Sequence, residues 1–138
     1  MAKEDPDALL LAHVGQKVLI KKDGKVLMCK GRDFDTLWDF PGGRIHKNEK
    51  PAQALVREVK EELGVDIEVG KPLYTCASNI SKSNIPRYYI VFEGKIKNPD
   101  ARFTLASDEI KEVRWVGESE VDSLETWDDW KVVLNTYL

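Results

Sequence analysis

Three glutamates, Glu58, Glu61 and Glu62, stand at spacings i, i+3 and i+4. On a helix each residue advances about 100°, so their carboxylates would share an arc of roughly 100°. Like charges at these spacings repel, and the grouping therefore does not stabilise a helix. A hard divalent cation relieves the repulsion, because Mg²⁺ takes carboxylate oxygens and keeps open positions for water and phosphate. The chemistry suggested is metal-assisted work on phosphate. A single helical glutamate is ordinarily a solvated surface residue, but these three keep company with Gly42-Gly43, Glu49 and Arg57.

Local signals describe the elements that must hold these groups. Pro51 suits the first turn of a helix and Gly64 its C-terminal stop. Ala52, Leu55, Val59 and Leu63, with Val56 at the margin, form an apolar stripe that docks such a helix on a sheet. The acidic arc begins beside that stripe, so packed backbone would position it. Upstream, residues 17–22 and 25–30 are apolar runs joined by Asp23-Gly24, a strong hairpin signal. Residues 31–40 read as a loop entering the Pro41-Gly42-Gly43 turn. Downstream, 66–77 and 86–96 read as strands with a polar connection at 78–84, and 112–116 as a further short strand. Thr126-Trp127-Asp128-Asp129 reads as a capped helix start, followed by Trp130, Val133, Leu134 and Tyr137 at helical spacing. The stretch before Lys17 fits a strand or a helix. These elements predict an α/β chain with a mixed sheet covered on both faces.

Composition narrows the function classes. The 138 residues carry a net charge of −3, with no broad basic surface of the kind nucleic acid requires. The longest apolar run, residues 8–14, is interrupted by His13 and is too short to span a bilayer. An acidic flank (Glu4, Asp5, Asp7) argues against a signal peptide. Cys29 and Cys76 lack metal-like spacing and read as two buried reduced thiols. The expectation is one domain over residues 1–138, cytoplasmic, with a small-molecule substrate.

Gly43, Glu49, Arg57, Glu58, Val59, Glu61, Glu62, Gly64 and Val65 together resemble the Nudix hydrolase signature at every fixed position, and Trp38-Asp39-Phe40-Pro41-Gly42 resembles its entry. The resemblance covers roughly residues 25–65. It implies an α/β/α sandwich with a mixed central sheet, and Mg²⁺ (Mn²⁺ as a substitute) bound by Glu58, Glu61, Glu62 and the Gly42 carbonyl. Arg57 and Glu49 would be structural. The implied reaction is water attack on a phosphorus of a nucleoside diphosphate linked to another group.

A fourth acid in this family often precedes a Trp-containing strand. Glu109 is the first candidate and Glu112 the second, a surface charge cluster being the alternative for both. For the substrate phosphates the resemblance suggests Lys30, with Arg32 and Arg44 as alternatives. Asp39 could accept from a sugar or base. Trp127, Asp128 and Asp129 resemble the aromatic-plus-acid pairing of members that read an oxidised purine, although a Thr126 cap with a core Trp127 explains the same residues. His46 reads as an exposed loop residue, and no P-loop or Ser/His/Asp arrangement is present.

Substrate choice follows by elimination. The proline that often marks ADP-ribose hydrolases and the tyrosine of many dinucleoside polyphosphate hydrolases are both missing past the signature, which favours a (deoxy)nucleoside triphosphate. ADP-ribose, a nucleotide sugar, a dinucleoside polyphosphate and a non-catalytic nucleotide-binding module are the alternatives, the last disfavoured by the intact glutamates. Monomer and homodimer are equally compatible with the sequence.

Overall fold

The computed structural model describes residues 5–32, 36–78 and 84–138. Strand β1 (His13–Lys22) turns through Asp23-Gly24 into β2 (Lys25–Gly31). Both turn residues have positive φ, 51° and 75°, the backbone that a two-residue hairpin demands and glycine tolerates. β3 (Trp38–Asp39) and β4 (Gly42–Arg44) come next, then helix α1 (Pro51–Leu63), β5 (Ile67–Ser78), β6 (Arg87–Ile96), β7 (Ile110–Gly117) and α2 (Asp128–Tyr137). The stretch before Lys17 is both: Pro6–Ala8 form a short 3-10 turn, and from His13 on the chain is strand β1. The loop expected at 31–40 contains β3, and the turn after it opens into β4. Two- and three-residue strands carry too few alternating positions to be read locally. Residues 33–35, and residues 79–83 of the expected polar connection, lie outside the described residues.

The sheet is mixed. β1 runs parallel to β6, and β5 pairs antiparallel with β6. β1 meets β2 only beside the hairpin turn, at Lys21–Val26 and Lys22–Lys25. Beyond that the two diverge, β1 pairing with β4 and β2 with β3 and β7.

Alternation along the strands sorts the core into two faces. Val18, Ile20, Leu27 and Cys29 meet Leu55, Val59 and Leu63 of α1 on one face. Leu19, Val26, Met28 and Val91 meet Trp130, Val133 and Leu134 of α2 on the other. This is the expected α/β/α sandwich. One position of the α1 stripe differs: Ala52 is exposed, and Ala54, about 200° further round the helix, is buried. Position 52 shares the angular phase of Val59 and Leu63 but stands in the first turn, ahead of Ala54, the first residue that the helix buries. Cys29 is buried, whereas Cys76 is only half-buried; both are free thiols. β5 lies at the end of the strand order, where cover is incomplete.

Candidate active site

The acidic helix starts at Lys50, whose side chain makes no cap, with Pro51 at its first position; it stops at Gly64, which takes the left-handed conformation (φ 71°) and returns its N–H to Lys60 O. In between, exposure grades the three glutamates. Glu62 is 9% exposed, the Glu58 side chain 15% and the Glu61 side chain 53%. The arc therefore runs from the sheet outward to solvent.

Arg57 organises it. Its guanidinium donates through Nε and Nη2 to both oxygens of Glu49, at 2.6 and 2.8 Å, and through Nη1 to Glu58 and Glu61, each at 3.1 Å. The His46 N–H adds a bond to Glu49 at 2.8 Å. These bonds, Arg57 first, lower the Glu49 pKa to about 2. Glu49 thus ties the loop before α1 to the arginine that aligns two catalytic candidates.

The glycine pair shapes the other wall. Gly42 has φ 134° and lies against the Gln16 carbonyl, so no side chain fits there. A Cβ on Gly43 would meet the Glu58 carboxyl at 2.5 Å. Gly42 N–H donates to Glu62 Oε1 at 2.8 Å. Burial is the main reason that the Glu62 pKa rises to about 8, against the opposing pull of Lys17 and the Gly42 bond.

Glu109 reaches the same place from the far end of the chain. Thr104 N–H donates to Leu63 O and Ala106 N–H to Glu62 O, each at 2.9 Å, so the loop before β7 is fastened to the end of α1. Burial first, then the charges of Asp108, Glu58 and Glu61, raise the Glu109 pKa. Glu58 and Glu109 line one open cleft of about 690 Å³ with Gly43, Arg44, His46 and Lys47. Glu112 instead lies on β7 opposite Lys30.

The remaining candidates divide. Arg44 lies in the cleft, its Nη1 3.5 Å from His13 Nδ1. Arg32 donates to Ser107 O, and its N–H to Glu109 O at 3.0 Å, which anchors the Glu109 loop. Lys30 lies elsewhere: its ammonium sits 4.9 Å from the Trp38 ring centroid, in a separate cleft with Arg114 and Glu120. Asp128 is exposed on the first turn of α2, and Trp127 packs beside the α2 core. Thr126 does not cap α2. Its hydroxyl donates to Trp38 O at 2.6 Å, linking β3 to the helix entry, and Trp127 is the N-cap residue without a side-chain cap bond. Asp129 accepts from Tyr74 OH at 2.6 Å.

Lys17 is the residue that sequence reading passed over. It is 8% exposed, and its Nζ donates to Asp39 Oδ2 at 2.9 Å and to Gly42 O at 3.3 Å. Burial opposes its charge, but Asp39 and Glu62 overcome this and raise its pKa. Asp39 Oδ1 also accepts from Trp130 Nε1 at 2.7 Å. The only signal in the sequence was a lysine among the apolar residues that follow it in β1.

The glutamates suit a divalent ion in part. Among the described residues no three acidic, histidine or cysteine side chains form a ready-made cage. Mg²⁺ does not need one, since it retains waters and takes one or two carboxylates plus substrate oxygens. The mutual repulsion of Glu58, Glu61 and Glu109 is what such an ion would relieve. Gln16, paired with Gly43 in the ladder and thus on the face Glu58 covers, is wholly buried with no partner for its amide among the described residues.

The chain matches the NUDIX domain over residues 13–135. It is similar to the 8-oxo-dGTP diphosphatase of Proteus vulgaris, 32% identical over 87 residues, which are 60% of this chain and 78% of that protein. It is also similar to the CTP pyrophosphohydrolase of Escherichia coli (strain K12), 43% identical over 56 residues, 38% of this chain and 42% of that one. The chain thus spans less than half the length of the latter. A MutT NUDIX hydrolase from Burkholderia pseudomallei has the same fold, with a TM-score of 0.77 at 20% identity, covering 93% of this chain and 99% of that one. This chain belongs to the Nudix hydrolase family, whose members generally use a divalent metal. Among the described residues no helix is long and apolar enough to cross a membrane.

Proposed function

We propose that residues 1–138 form one Nudix domain that hydrolyses a phosphoanhydride of a nucleotide with Mg²⁺, a (deoxy)nucleoside triphosphate being the preferred substrate. The observation that carries this reading is the shared cleft of Glu58 and Glu109, with Arg57 aligning Glu58 and Glu61 beside it. The relatives' names, an 8-oxo-dGTP diphosphatase and a CTP pyrophosphohydrolase, support the substrate class.

Glu58, Glu61 and Glu62, with Glu109 from the opposite loop, are the groups that would hold the metal. Bound there, Mg²⁺ supplies charge neutralisation for the bridging oxygens and a more acidic attacking water. Arg44 and Lys47, in the same cleft, face the anionic substrate. Glu109 is also the base we favour, because it lines the cleft with Glu58 and could there accept a proton from the attacking water. Water oxygen bonds to phosphorus, the P–O bond of the anhydride breaks, and the leaving oxygen departs on a phosphate-bearing product. Trp127 and Asp128 are assigned to the nucleoside end; Asp39, expected there, instead has one oxygen on Lys17 and the other on Trp130.

The test is incubation with Mg²⁺ and a panel of nucleoside triphosphates, ADP-ribose, nucleotide sugars and dinucleoside polyphosphates, with products identified by mass. We expect a nucleoside monophosphate and pyrophosphate from a triphosphate. Glu58→Gln should lower turnover by about 100-fold, and Glu109→Gln by roughly tenfold or more, with Tm almost unchanged for Glu109→Gln. Nucleotide binding without any product would overturn the reading.

A further inference from the structure

The Gly42 carbonyl is the one implied metal ligand that the geometry does not fit. Lys17 and Gly42 are direct partners in the β1–β4 ladder, so the lysine emerges beside that peptide group. Its ammonium stands 3.3 Å from Gly42 O and is held there by Asp39 at 2.9 Å. Asp39 is itself pinned by Trp130 Nε1 at 2.7 Å. On the opposite side Gly42 N–H is taken by Glu62. A Mg²⁺ bonded to Gly42 O at about 2.1 Å would have a fixed positive charge as its near neighbour. With Lys17 only 8% exposed, little water screens that repulsion.

We propose that the Lys17 ammonium occupies the Gly42 carbonyl in place of a divalent ion, confining bound ions to the glutamate carboxylates. This rests on the reading of the glutamates as metal ligands given above. It makes Lys17 a positioning residue: an internal cation that sets how many divalent ions the site takes and where they lie.

The decisive experiment uses the unaltered protein, crystallised with Mn²⁺ and a non-hydrolysable nucleoside triphosphate analogue and mapped by manganese anomalous scattering. Manganese should appear against the glutamates, with none within about 2.5 Å of Gly42 O and Lys17 Nζ still on that oxygen. A manganese ion bonded to Gly42 O overturns the inference while leaving the proposed function standing. A map without manganese anywhere overturns both. A second measurement counts Mn²⁺ per chain by electron paramagnetic resonance in Lys17→Met/Asp39→Asn, which removes both charges of the pair together and so avoids stranding the buried one. The variant should bind one more Mn²⁺ or bind its weakest one at least about tenfold more tightly, 1.4 kcal/mol; unchanged count and affinity in a variant with wild-type circular dichroism overturns the inference.

Discussion

Glu49 shows how one side chain can matter to the site without touching substrate. Arg57 spends its fork on Glu49 and has one nitrogen left for Glu58 and Glu61. The Glu49 carboxyl is ionised in the folded chain down to a pKa of about 2, against an ordinary value of 4.5. A depressed acid contributes stability above its unfolded pKa and loses it as pH falls through the folded one. The Tm of the chain should therefore exceed that of Glu49→Gln at pH 7, with the gap closing between about pH 4.5 and pH 2. A gap that stays constant through that range would mean the Glu49–Arg57 pair has no such role. Glu49 and Arg57 were visible in the sequence as members of a motif. Lys17 was not, because a lysine at the edge of an apolar run reads as a solvent-facing position, and only the partners at 39 and 42 reveal its burial.

At the scale of elements, α1 and β4 touch through an absent side chain. The Glu58 carboxyl occupies the space that a Cβ on Gly43 would need. The obstructing atoms are the end of a flexible side chain, so Gly43→Ala should cost little in stability, about 1 kcal/mol or less. The carboxyl would have to move by about 1 Å, and displacement of that size costs up to about a hundredfold in rate. Turnover and Tm measured on one sample separate the two effects: a large fall in Tm with turnover per folded molecule preserved would contradict this account. The ends of α1 were legible from Pro51 and Gly64, and its inner face from Leu55, Val59 and Leu63. β3 and β4 were not legible, since each is a few residues long and exists only through pairing with β2 and β1. The Thr126 reading failed for a related reason. Its hydroxyl can satisfy a helix end or a distant carbonyl, and Trp38 O, 88 residues away, takes it.

For the molecule as a whole, the sheet separates two cores. Leu55 on the α1 face and Leu134 on the α2 face are each fully buried, in different clusters. Leu55→Ala and Leu134→Ala should each cost about 2–5 kcal/mol. With no shared contact, the double variant should lose the sum within about 0.5 kcal/mol. Denaturant unfolding of the four proteins checks this, and strong non-additivity would show that the two faces communicate through the sheet.

Chain-local chemistry sufficed for the acidic helix, its ends at Pro51 and Gly64, the Asp23-Gly24 hairpin and the family, because each depends on residues close together along the chain. The cleft needed tertiary structure. Glu109 joins Glu58 through backbone bonds from residues 104 and 106 to the end of α1, and Lys30, expected with the phosphates, is carried to the Trp38 ring instead. Which carboxylates meet, and which lysine is buried against Gly42, follows from strand pairing and loop closure between distant segments, and spacing along the chain contains no measure of either.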